Sequence, residues 1–190
     1  DFVEVFSNFH VDWYNLLRDG WGALKGGLFD MSNLVDMYGD IVEEVSGKRS
    51  TTFKESFTHT GRKLVISATC LDTRTSFYFS HLTTPDVEIV RAIEISTSIP
   101  MVFGAKVFGE RLMVDGCVCE SLPLNCWSKS EIDNTIAFLA KSTEEIYEIK
   151  PQRRHTVQEY LTDLVSSAKK PSEKVSYELY KDVICVVDVG

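Results

Sequence analysis

Residues 63–71, KLVISATCL, leave this chain the least freedom in choosing a fold. A β-branched, mostly apolar run of that length predicts a strand buried on both faces. Asp72-Thr73-Arg74-Thr75 has the polarity of a turn, and Ser76–His81 (SFYFSH) predicts a second strand. Thr84-Pro85-Asp86 then punctuates the start of a helix that places Val87, Val90 and Ile93 on one face. That helix must end before Pro100, because proline disfavours helical backbone in the residue before it. Ala105–Phe108 and Arg111–Val114 flank Gly109-Glu110 as a small hairpin that runs out at Asp115-Gly116. Strands alternating with helices predict an α/β layered domain.

The flanking segments are less regular. Trp13, Leu16 and Leu17 recur at helical spacing, with Gly20 as a stop. Ser32 reads as the N-cap of a helix through Leu34, Met37, Ile41 and Val45, closed by Gly47. Residues 47–52 read as a loop, and Thr52 as the cap of a short helix over 53–57. Beyond Pro123, Thr135–Ala140 is a strand or a short helix, since so short a run has no decisive period. Thr156–Ala168 carries an apolar stripe of Val157, Tyr160, Leu161, Leu164 and Val165, and Asp182–Val189 predicts a buried strand. No repeat and no domain boundary is visible, so residues 1–190 read as one domain. The chain starts at Asp1 and stops at Gly190 directly after an apolar run, and it reads as a piece of something longer.

Composition excludes several functions. With 28 acidic and 20 basic residues the net charge is −8, which argues against a general nucleic-acid binder. No apolar run approaches the roughly 20 residues of a membrane-spanning helix. Five cysteines cannot all pair and show no zinc-site spacing, which favours a reducing, cytoplasmic setting.

Motif searches are mostly empty. A G-x-S-x-G nucleophile elbow needs serine midway between glycines four apart, and Gly22 and Gly26, alone at that spacing, enclose Leu24. A P-loop fails because Gly47-Lys48 is followed by Arg49 and preceded, five residues earlier, by Val42. The four histidines form no H-x-x-x-H pair. Ser166-Ser167-Ala168-Lys169 satisfies S-x-x-K only at the polar end of a helix. Cys117-Val118-Cys119 reads as small half-buried residues rather than a metal site. Gln152-Arg153-Arg154-His155 reads as a solvated run, with lipid phosphate or an anionic partner as the alternative. Trp13, Tyr14, Trp21 and Phe29 read as core, with an interfacial patch as the alternative. Asp115 stands out, because Leu112-Met113-Val114 and the following glycine push a carboxylate out at the end of a buried strand. As an isolated dipeptide, Asp-Gly is commonly only a turn.

The surrounding series changes that weighting. LVISATCLDTRTSFYFS, then TTPDVEIVRAIEISTSIPMVF, then VDGCVCESLPLN together resemble the patatin-like phospholipase family. Ala68, Thr69, Leu71 and Thr73 match a strand motif of the type A-T-D-L-x-T-G. Ala92, Ser96, Ser98, Ile99, Pro100 and Phe103 match A-x-x-A-S-x-(S/A)-I-P-x-x-F. Asp115, Gly116 and Pro123 match D-G-(G/A)-x-x-x-N-x-P, with Cys117 at the third small position and Ser121 where asparagine is expected. The likeness covers about residues 23–125, with a later helix and core strand over 156–190. It implies a three-layer α/β/α fold, here incomplete on its N-terminal side. It also implies acyl-ester hydrolysis by a serine–aspartate dyad that uses no histidine, cofactor or metal. Asp115 is then the proton acceptor and Gly116 its motif loop, while Ser96 and Ser98 are packing residues. The nucleophilic serine and the glycine-rich oxyanion loop fall in a missing N-terminal segment of the same protein, so this chain alone is expected to be inactive. The expected partner is a lipid or membrane-surface substrate met peripherally. The rival reading is a non-catalytic module of the same fold that binds lipid or a protein.

Overall fold

The structure, a computed structural model, describes Gly27 and residues 30–100, 102–141 and 174–188. The early aromatics Trp13, Tyr14, Trp21 and Phe29, the basic cluster 152–155, the amphipathic segment 156–168 and the S-x-x-K of 166–169 lie outside the described residues. The chain divides into two compact units, Asp1–Cys119 and Glu120–Gly190. Helices and sheets are mixed, as an α/β chain requires.

In the first unit, helix α1 spans Ser32–Ser46 and buries Leu34, Gly39 and Val42. Ser32 is its first helical residue rather than its cap. The Asp30 carboxylate lies two residues upstream and accepts both the Ser32 N–H at 3.0 Å and its hydroxyl at 2.6 Å. A charged acceptor beats a hydroxyl for that role. Gly47 ends α1 with φ +84°, donating its N–H to Glu43 O. Arg49 folds back across Gly39, reaching Asp36 O at 2.8 Å and Asp40 Oδ1 at 3.4 Å, in the space a side chain there would occupy.

Helix α2, Phe53–Thr60, begins with a capping box. Thr52 Oγ1 accepts the Glu55 N–H at 3.3 Å, and Glu55 Oε2 accepts the Thr52 N–H at 2.9 Å. The hydrogen bond from Lys48, reinforced by the Thr52 N–H, pulls the Glu55 carboxyl down to about 2.

Strands β1 (Val65–Cys70), β2 (Thr75–Ser80), β3 (Lys106–Phe108) and β4 (Arg111–Asp115) form one sheet in the order β2-β1-β4-β3. Every pairing in it is antiparallel. Ala68 faces Asp115, Thr69 faces Val114 and Cys70 faces Met113. The β3–β4 hairpin turns on Gly109-Glu110, as the sequence suggests, with φ +62° at the glycine. Ile66, Ala68, Cys70, Phe77, Phe79, Phe108 and Met113 pack with helix α3 (Ile89–Ser96), Val42 and Phe53 as the main core. Phe79 lies edge-on to Phe77 and Phe108, with centroids 5.0 and 5.1 Å away.

Helix α3 starts later than Thr84-Pro85-Asp86 suggests. Residues 85–88 are taken up by backbone pairing with 51–54: Lys54 N–H donates to Pro85 O, Phe53 N–H to Val87 O, and Ile89 N–H to Thr51 O. The delayed start turns Ile89, Ala92 and Ile95 inward, while Val87, Val90 and Ile93 are only partly buried.

In the second unit, helix α4 (Lys129–Ile132) precedes β5 (Ala137–Lys141). A helix over 174–180, α5, leads into β6 (Ile184–Asp188), which pairs with β5 in parallel. Leu122, Leu124 and Ala137 pack with Trp127, Tyr180, Val183 and Ile184. The opposite face of the two strands carries Phe138, Ala140, Cys185 and Val187, all exposed. The expectation of a buried strand over 182–189 is therefore corrected. β6 forms, but Val187 is 40 % exposed because its face of the pair is uncovered, and Val186, on the other face, is still 39 % exposed.

Candidate active site

Asp115 is the last residue of β4 and, with Ala68, lies on the face of the sheet that packs against α3. It is 7 % exposed. The chain then leaves the sheet through a 3-10 turn, Gly116–Val118, for which Asp115 is the N-cap. Its Oδ1 accepts the Cys117 N–H at 2.7 Å, which sets the rotation of the carboxylate. Its own N–H donates to Ser98 O at 3.0 Å, tying the strand end to the segment that leaves α3.

Three neighbours shape this corner. Gly116 sits so close to β1 that a Cβ on it would stand 2.5 Å from Ser67 O and 2.6 Å from Ser67 Oγ. Thr69, 1 % exposed, receives the Cys119 N–H at 3.1 Å and directs its own hydroxyl to Gly116 O at 3.4 Å. Ser98, fully buried, donates its hydroxyl to Glu94 O at 2.7 Å. Glu94 itself is held by Arg91 and by Lys106 Nζ at 2.9 Å, joining α3 to β3. Burial pushes the Glu94 carboxyl up, but the bonds from Lys106 and Arg91 outweigh it and hold the group below its ordinary value.

The structure brings Asp115 and Gly116 together with Ser98, whose hydroxyl is spent on α3, and with the half-buried side chains of Cys117 and Cys119. Pattern reading passes over Thr69 and Ser67 as chemistry. The available signal is a hydroxyl at a fully buried strand position, where an unpaired polar group is costly. Among the described residues no group of three His, Cys, Asp or Glu side chains is placed to hold a metal ion. A concavity of about 580 Å³ lined by Thr52, Lys54, Glu55, Thr58, His59 and Asp86 shares no residue with the Asp115 corner. No helix of the described residues is long and apolar enough to cross a membrane. A buried, oriented carboxylate at a strand end is suited to taking a proton from a hydroxyl brought within hydrogen-bond reach.

A family model described as patatin-like phospholipase matches residues 1–125. "Probable lipid hydrolase 463L" of Invertebrate iridescent virus 6 is 32 % identical over 101 residues, covering 53 % of this chain and 35 % of that protein. The chain thus aligns with about a third of the length of this curated relative. The matched residues contain α1–α3, β1–β4 and the Asp115 turn.

Proposed function

The chain belongs to the patatin-like phospholipase family, and on that premise we propose that the protein carrying it hydrolyses fatty-acyl ester bonds of phospholipids or neutral lipids. The observation that carries this reading is the Asp115 corner: a carboxylate 7 % exposed, held at Oδ1 by the Cys117 N–H, inside the matched residues. Asp115 is the proton acceptor and Gly116 gives the turn its close approach to β1. The nucleophile is a serine in a G-x-S-x-G segment upstream of these residues, since none occurs within the 190. A glycine-rich loop in the same segment supplies backbone N–H groups to the developing oxyanion. Together with that segment the domain is a three-layer α/β/α fold, working peripherally at a membrane surface from the cytoplasm.

In this mechanism the serine hydroxyl attacks the ester carbonyl as its proton passes to Asp115. The tetrahedral intermediate collapses, the C–O bond to the alcohol breaks, and Asp115 returns the proton to the departing oxygen. Water then repeats the sequence on the acyl-serine: Asp115 takes its proton, the fatty acid leaves, and the serine regains the proton.

The test is labelling by a serine-directed fluorophosphonate in a protein that joins these residues to their upstream segment. Wild-type protein should label, and Asp115→Asn should slow labelling by about 10²–10⁴-fold, the usual worth of a positioned base. Labelling unaffected by Asp115→Asn overturns the dyad. No labelling of the folded wild type favours a non-catalytic lipid- or protein-binding module. The 190-residue chain by itself should neither label nor hydrolyse ester.

A further inference from the structure

We propose that Thr69 is a positioning residue for Asp115, acting through the Gly116–Val118 turn; the proposal rests on the reading of Asp115 as the base. The amide that fixes Asp115 Oδ1 belongs to Cys117, in the middle of that turn. One buried hydroxyl, from a residue 47 to 50 positions away in sequence, meets the turn at both of its ends. Thr69 Oγ1 accepts the N–H of Cys119, the residue that closes the turn, and points its proton toward the carbonyl of Gly116, the residue that opens it. Thr69 is on the central strand β1, beside Ala68, the register partner of Asp115, so the hydroxyl is anchored to the same ladder as the carboxylate.

The geometry makes the turn a clasp rather than a free loop. Cys119 is only half-buried and its N–H also reaches Gly116 O inside the turn, so what Thr69 alone supplies is the link from that amide and that carbonyl to β1. Without that link the turn lifts from the strand, which carries the Cys117 N–H away from Oδ1 and frees the carboxylate to rotate. A base displaced by even about 1 Å loses much of its effect, up to a factor of about 100. The change falls on proton transfer and not on the binding of the acyl chain, so it should appear in kcat.

The experiment compares Thr69→Val, which keeps the shape and removes the hydroxyl, with Thr69→Ser, which keeps the hydroxyl. Both are made in the protein that includes the upstream segment, and ester hydrolysis is measured beside amide hydrogen exchange. Thr69→Val should lower kcat by about tenfold or more with KM within about twofold of wild type, and should speed exchange at the Cys117 and Cys119 amides. Thr69→Ser should restore both readouts to near wild type. Wild-type kcat in a folded Thr69→Val protein, equal losses in the two variants, or a rise in KM alone overturns the proposal. If Thr69→Val fails to fold, Thr69→Ala takes its place: a lower kcat at unchanged KM with faster exchange at the Cys117 amide supports the clasp, and wild-type kcat overturns it. Should Asp115→Asn leave hydrolysis intact, the base assignment fails on its own, while the exchange data still judge the clasp.

Discussion

A Cβ on Gly116 would stand 2.5 Å from the Ser67 carbonyl oxygen, a backbone atom that β1 cannot move without breaking its pairing with β2 or β4. Gly116→Ala should therefore destabilise the protein by about 1–3 kcal/mol, the usual cost of overpacking, read as a lower urea midpoint at unchanged slope. The neighbouring Glu94 gives a pH signature. Its carboxyl titrates below the ordinary 4.5 because the Lys106 and Arg91 bonds outweigh burial. A depressed carboxyl contributes stability that is full above the unfolded value and lost as pH falls through the folded one. Glu94→Gln should thus be less stable than wild type at neutral pH, by about 1–2 kcal/mol after allowance for its partly exposed partner Arg91. The difference should shrink in thermal melts below pH 4.5 and vanish in strong acid. A constant difference down to pH 2 would show that the ion pairs are not its source.

Among the elements, α2 carries its own start signal. Thr52→Ala removes the acceptor for the Glu55 N–H and should cost about 1 kcal/mol, measured by denaturation. Signals of this local kind are what a sequence displays: the Thr52 cap, the Gly47 stop, the Gly109-Glu110 hairpin and the strand end at Asp115 depend on residues a few positions apart. Elements whose limits are set by distant backbone are not displayed. The start of α3 is decided by residues 51–54 competing for the 85–88 backbone. The antiparallel pairing of β1 with both β2 and β4 hides behind an apolar run that also suits a parallel sheet, because both arrangements demand burial. The corner around Asp115 shows the same division. Asp115 and Gly116 are legible as a strand end and a turn. The Thr69 and Ser67 contacts form only when β1 and β4 pair, so no spacing within either segment announces them.

At the scale of the whole molecule, exposed large apolar side chains crowd the second unit: Ile136, Phe138, Val175, Leu179, Val186 and Val187. A parallel strand pair normally has both faces covered, and this one shows Phe138 at 67 % exposure. The 190-residue chain should accordingly enhance the fluorescence of an apolar dye such as anilinonaphthalene sulfonate. Phe138→Lys should reduce that signal while changing stability by no more than about 0.5 kcal/mol, the range of surface substitutions. Unchanged dye binding would assign the apolar surface elsewhere. The first unit holds a different kind of dependence. Successive side chains on a strand point to opposite faces, so the side on which Asp115 emerges is an odd-or-even property of β4. That parity is set where β4 begins, at the two-residue Gly109-Glu110 turn, about 13 Å away at a rise of about 3.3 Å per residue. One residue added to or lost from that turn, if the strands absorbed it as a slip, would send the carboxylate through to the opposite face with no atom of the corner altered. The length of a remote hairpin is thus a hidden term in the chemistry.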